Sequence, residues 1–154
     1  MIIEKIHRKI VKGVQHSFSQ EGEDLVLARI FEGQKPGFYV DVGAHHPTRF
    51  SNTYFFYRRG WSGINIDAMP GSMKAFKSLR SRDVNLEIPV SENETLLKYY
   101  MFNEPALNSF DRSLSLSRQN DTYKIIKTIN IKSQRLDHLL SKHVPTGIHI
   151  SFMS

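Results

Sequence analysis

The segment Gly37-Phe38-Tyr39-Val40-Asp41-Val42-Gly43-Ala44-His45-His46-Pro47 constrains this chain more than any other. A short apolar run carries one acid and ends in Gly-Ala. In an extended strand Phe38, Val40 and Val42 point to one face and Tyr39 and Asp41 to the other. Gly43 then lets the backbone turn sharply and lets a ligand approach closely. The pattern is a strand feeding a tight turn at the mouth of an α/β sheet.

The flanking residues extend that reading. Residues 1–16 read as an amphipathic helix, with Ile3, Ile6, Ile10 and Val14 near one face and Lys5, Arg8, Lys9 and Lys12 over the other. That basic face suits an anionic lipid surface or the solvated side of a docking helix. Ser17-Phe18-Ser19-Gln20 has the spacing of a capping box. It predicts a helix carrying Leu25, Val26, Leu27, Ile30 and Phe31 and stopping at Gly33. Glu21, Glu23 and Asp24 fall in its first turn, where acids suit the helix dipole and could also meet a ligand amine. A helix over 51–59, a strand over 61–67, a helix over 72–79 and a strand over 83–90 follow. Short strands alternating with helices predict right-handed βαβ crossovers and a mostly parallel sheet with helices on both faces.

Beyond residue 90 the alternation stops. Residues 96–102 and 123–131 read as strands that pair as an accessory hairpin or lie along the sheet edge. Between them, 103–109 is a loop and 110–121 is a polar, Ser-rich excursion expected to be mobile. Residues 135–140 form a helix with Leu136, Leu139 and Leu140 buried, and 148–153 one more core strand.

Composition removes some chemistries. The 154 residues contain no cysteine, which excludes disulfides, thiolate metal sites and a cysteine nucleophile. That fits a reducing cytoplasm, the compartment expected here. No apolar run approaches the roughly 20 residues of a membrane span. The net charge of +6 suits an anionic ligand, a membrane surface or solubility alone. Tyr99, Tyr100 and Phe102 read as core or hairpin residues. No RNA-binding signature accompanies them, so no nucleic-acid partner is expected.

Asp67 lies 24 residues after Gly43, at the end of the second strand. In nucleotide-binding α/β folds an acid roughly 20 residues past the glycine turn hydrogen-bonds ribose hydroxyls. An acid capping the next helix is the alternative. The phosphate fingerprints are absent: residues 43–47 are not G-x-G-x-x-G, and no P-loop occurs. The missing glycines favour an adenosine ligand without phosphates, and S-adenosylmethionine is the common one. His45-His46 offers a general base near neutrality for a substrate hydroxyl, or a loop cap beside Pro47. Adjacent histidines are poor joint ligands and no acid is spaced to join them, so no metal site is expected.

Ser19-Gln20-Glu21-Gly22-Glu23-Asp24, Phe38-Tyr39-Val40-Asp41-Val42-Gly43-Ala44 and Gly63-Ile64-Asn65-Ile66-Asp67-Ala68 together closely resemble the FkbM family of S-adenosylmethionine-dependent methyltransferases. Val90-Ser91 and Arg135-Leu136-Asp137 also fit. The resemblance implies a Rossmann-like methyltransferase fold and methyl transfer to a hydroxyl of a sugar or natural product. It places Asp41, Gly43 and Ala44 in the first cofactor motif, Asp67 on the ribose and Ser91 near the adenine. Gln20, Glu23 and Asp24 match an N-terminal motif expected near the methionine end of the cofactor or the substrate mouth. In the family, the strand resembling residues 148–153 runs into an Asp-x-Glu-Gly segment, and here the chain stops at Ser154. The resemblance therefore implies a partial methyltransferase domain over 17–154, incomplete at the C-terminus and lacking the wall opposite residues 38–46. A non-catalytic remnant or interaction module is the alternative. A nicotinamide oxidoreductase is disfavoured by the missing glycines.

Overall fold

The structure is a computed structural model and describes residues 15–154. The amphipathic helix expected over 1–16 lies outside the described residues but for Gln15 and His16, which are irregular. Six strands are described: β1 Phe38–Val42, β2 Ser62–Asp67, β3 Val84–Glu87, β4 Leu96–Phe102, β5 Ile125–Lys132 and β6 Ile150–Met153. Five α-helices are described: α1 Glu23–Ile30 before the first strand, and α2 Tyr54–Tyr57, α3 Met73–Leu79, α4 Arg112–Arg118 and α5 Leu136–His143 between successive strands.

Four of the strands form one parallel sheet in the order β3-β2-β1-β6. This is the Rossmann-like α/β arrangement expected from the alternation. The opening strand lies in the middle, with Val40 opposite Ile64 on β2 and Tyr39 opposite Phe152 on β6. Its two faces serve two cores. Phe38 and Val40 pack with Ile64, Ile66 and Leu139 of α5. Tyr39, on the other face, packs with Phe55, Phe56 and Trp61, against which Leu25 and Phe31 close. Helices thus cover both faces. Each side chain fully buried this way contributes about 1.5–3 kcal/mol. Gly63 is required by packing: a Cβ there would collide with the ring and carbonyl of Tyr39.

Strands β4 and β5 pair antiparallel as a separate two-stranded sheet, with Tyr99 opposite Ile129. The hairpin expectation holds, but the intervening segment is helical rather than an unstructured excursion. Asp111 caps α4 by accepting the Leu114 N–H at 2.8 Å. Arg118 ties the other end to the Leu107 carbonyl at 3.1 Å. A capping acid and one long-range hydrogen bond outweigh the serines' weak helix preference.

The start of α1 also departs from the sequence pattern. Its N-cap is Gly22, in the left-handed region at φ 90°, with no side-chain cap. The serines do not cap the helix as a box. Ser17 and Ser19 instead donate to Asp24 Oδ1 at 2.7 and 2.9 Å, and the Phe18 N–H donates to Oδ2 at 2.7 Å. Asp24 is fully buried, so this acid serves the preceding loop rather than the helix dipole alone. No helix among the described residues is long and apolar enough to cross a membrane.

Candidate functional site

Strand β1 has β2 on one side and β6 on the other, so the strand order reverses beside it. Open α/β sheets bind ligands at such a switch point, outside the C-terminal ends of the strands. A cavity of about 430 Å³ opens there, within the roughly 300–1,000 Å³ of small-molecule sites.

Its floor is built by the two strand ends. Gly43 takes φ 80°, and a Cβ on it would meet nothing within 4 Å. That turn is closed by the Gly43 and Ala44 N–H groups, which donate to the Ile66 carbonyl at 2.8 and 3.0 Å. Asp67 then ties the two strand ends together. Its Oδ2 accepts the His45 N–H at 2.9 Å and its Oδ1 accepts the Met69 N–H at 2.7 Å. Helix α3 begins later, after Ser72, so Asp67 is a turn clamp and not a helix cap. Each carboxylate oxygen offers two lone pairs, and each uses one on these backbone donors.

Asp41 reaches the same cavity from β1 and is buried, at 6% exposure. Thr53 donates to its Oδ2 at 2.7 Å. Burial, first of all, holds this carboxyl above the usual carboxylate range, against the pull of the Thr53 hydroxyl and the Arg80 charge. The lining residues include these two acids but neither lysine nor arginine. The cavity is therefore acidic in a chain whose net charge is +6.

The loop over 43–50 forms the rim. His45 and Phe50 both hold left-handed backbone, at φ 52° and 55°. Such conformations cost about 1–2 kcal/mol in a non-glycine residue. Their rings stack at 6.4 Å with 16° between planes, and the Arg49 guanidinium lies 4.3 Å from the Phe50 ring centre.

The two histidines part ways here. His45 lines the cavity and His46 does not. His46 Nδ1 accepts the Thr48 and Arg49 N–H groups at 3.2 and 3.0 Å, which leaves its proton on Nε2. Burial, then the neighbouring charges of His45 and Arg49, hold His46 below the ordinary histidine value of 6.5. The unfolded chain therefore takes up this proton more readily than the folded one. The stability His46 contributes is complete above pH 6.5 and is lost as the pH falls through that value towards the folded one. Thermal melts from about pH 7.5 to about pH 5 will show a falling midpoint, and His46→Gln will flatten that fall. Equal slopes in the two proteins would count against the loop-cap role.

Sequence reasoning missed the opposite wall. It comes from the accessory hairpin and the 3-10 turn Pro105–Leu107. Tyr99 on β4 and Phe110 face the cavity with their ring centres 4.6 Å apart, and Asn108 lies between strand and turn. Residues 99–110 thus supply a wall of this cavity across from β1. The period-two alternation of β4 fixes which face Tyr99 occupies, but nothing local says where a hairpin docks.

Of the N-terminal motif, Gln20 reaches the cavity. Asp24 is the loop clamp that presents it. Glu23 is exposed, does not line the cavity, and turns back to accept the Glu21 N–H at 3.0 Å. Ser91 is also elsewhere. Its N–H donates to the Gln134 carbonyl at 3.1 Å, and it faces a separate groove with Arg135 and Asp137. The structure thus gathers Asp41, Gly43, Ala44, His45 and Asp67 around one cavity and leaves Glu23, His46 and Ser91 outside it.

A family model described as the Methyltransferase FkbM domain matches residues 41–153. The match begins at Asp41 and spans both walls of the cavity. Comparison with curated proteins and with solved structures gave no match.

Proposed function

The chain belongs to the FkbM methyltransferase family, and we propose that its acidic cavity binds S-adenosylmethionine and directs methyl transfer to a hydroxyl of a sugar or other small natural product. The observation that carries this reading is the pairing of Asp41 and Asp67 in a cavity lined by no lysine or arginine. A ligand with positive sulfonium and ammonium groups suits that field, whereas a pyrophosphate is repelled by it. The donor set also fits an adenosine. Asp67 keeps one lone pair on each oxygen for a ribose diol, and the open side of Gly43 lets the ligand approach the backbone. Asp41 and Gln20 are assigned to the methionine end.

The cofactor supplies an electrophilic methyl group, so that the acceptor oxygen forms a C–O bond as the C–S bond breaks. This chain's residues hold and orient the two partners. Tyr99, Phe110 and Asn108 offer aromatic faces and an amide to the acceptor, in keeping with a carbohydrate or natural product. His45, which lines the cavity, is the residue this reading assigns to take the hydroxyl proton. The cytoplasm, with its supply of S-adenosylmethionine, is the compartment this reading assigns.

Calorimetric titration of the full chain with S-adenosylmethionine, S-adenosylhomocysteine and NAD tests the proposal. The two adenosyl ligands are expected to bind and NAD is not. A folded chain that binds none of them would support an interaction module instead, and binding of NAD alone would sink the cofactor assignment.

A further inference from the structure

A buried polar cluster under the cavity has no part in the roles assigned so far. Arg80 closes α3 and is 0% exposed. Its Nε donates to Asp83 Oδ2 at 2.8 Å and its Nη1 to the Pro47 carbonyl at 3.0 Å. Its Nη2 faces Tyr39 Oη at 2.6 Å, Thr53 Oγ1 at 3.1 Å and Asn65 Oδ1 at 3.3 Å. Two of these contacts lead out of the cluster towards the cavity. Pro47 belongs to the rim loop that carries His45. Thr53, itself 0% exposed, donates onward to Asp41. A hydroxyl that accepts from a guanidinium has one hydrogen left to give, and here Asp41 receives it.

We propose that Arg80 and Thr53 form a relay that keeps Asp41 a carboxylate aimed into the cavity, which makes both of them positioning residues for the cofactor site. The role of the cavity as that site rests on the functional reading above; the relay itself does not. The relay has opponents to overcome. Asp41 is buried, and the carboxylates of Asp67 and Asp83 also favour its protonation, while Thr53 and Arg80 act against them. With the relay gone, burial and two like charges face Asp41 with little opposition, and a neutral carboxyl would not attract a cationic ligand.

Thr53→Val keeps the side chain's shape and removes the hydroxyl; Thr53→Ser keeps the hydroxyl and removes a methyl. Thermal melts establish that both are folded. In calorimetry with S-adenosylmethionine, Thr53→Val is expected to weaken binding about tenfold or more, and Thr53→Ser to stay within about threefold of the wild type. Carbon-13 NMR titration of the Asp41 carboxyl should show its midpoint rising by about one pH unit in Thr53→Val and staying near the wild-type value in Thr53→Ser. Wild-type behaviour of Thr53→Val in both measurements overturns the relay. So does equal weakening of the two variants, which would make Thr53 a packing residue. If the wild type binds neither adenosyl ligand, the functional reading fails, and the carboxyl titration still decides the relay.

Discussion

Arg80→Met is expected to lower the unfolding free energy by about 3–5 kcal/mol, the usual result of removing one partner of a buried ion pair. The reason is what the substitution leaves behind. Asp83 is buried and accepts from Arg80 Nε, Tyr39 Oη and Asn65 Nδ2 on one oxygen and from the Gly63 N–H on the other. Without the guanidinium its charge has no counterion among the described residues, and the Pro47 carbonyl loses its donor. Total stabilities run to about 5–15 kcal/mol, so the loss removes a large share. For a chain of this length it corresponds to a fall in melting temperature of about 6–20 °C. Arg80→Lys should fall between wild type and Arg80→Met, because an ammonium cannot reach Asp83, Pro47 and Thr53 from one plane. Urea denaturation monitored by circular dichroism reads all three proteins. A loss under about 1 kcal/mol for Arg80→Met would show that the cluster tolerates an unpaired Asp83, against the general cost of buried charge.

That cluster marks the boundary of what the sequence makes legible. In sequence Arg80 is one of several cations at a helix end, next to Ser81 and Arg82. Its burial depends on Tyr39, Pro47, Thr53 and Asn65 converging from four other segments, and no local pattern encodes that. The features that were legible are governed by local rules. Strand alternation placed Phe38 and Val40 on one face of β1 and Tyr39 and Asp41 on the other. Strand length and the glycine turn placed Asp67 beside Gly43. The misread segments had local signals with two solutions. Ser17 to Gln20 satisfies a capping-box spacing, yet the hydroxyls there donate to Asp24 instead. Residues 110–121 are polar enough for a mobile loop, but Asp111 at an N-cap and a tether to Leu107 make a helix. The far wall depends on where the hairpin docks, which is a tertiary event.

Asp67→Ala is expected to weaken S-adenosylmethionine binding by about 100-fold or more. Hydrogen bonds to a charged group contribute about 1.5–3 kcal/mol each, and the proposed ribose contact uses two of them. The structure adds a second route to the same loss. The carboxylate also accepts the His45 and Met69 N–H groups, so its removal frees the rim loop and the turn after β2 as well as the ligand. Asp67→Asn separates the two routes poorly in charge but well in geometry. Its amide must present an N–H to one of the two backbone donors, and donor against donor repels. Asparagine should therefore lose most of the affinity although it is nearly isosteric. Stability will fall less, by about 1–3 kcal/mol, because the site is only half-buried and water can replace part of the bonding. Calorimetry paired with thermal melts distinguishes the effects. Affinity within about threefold of wild type in a folded Asp67→Ala protein would remove the ribose contact from this residue. The backbone hydrogen bonds would then account fully for the acid at the end of β2, and the cofactor would have to be held by Asp41 and the hairpin wall.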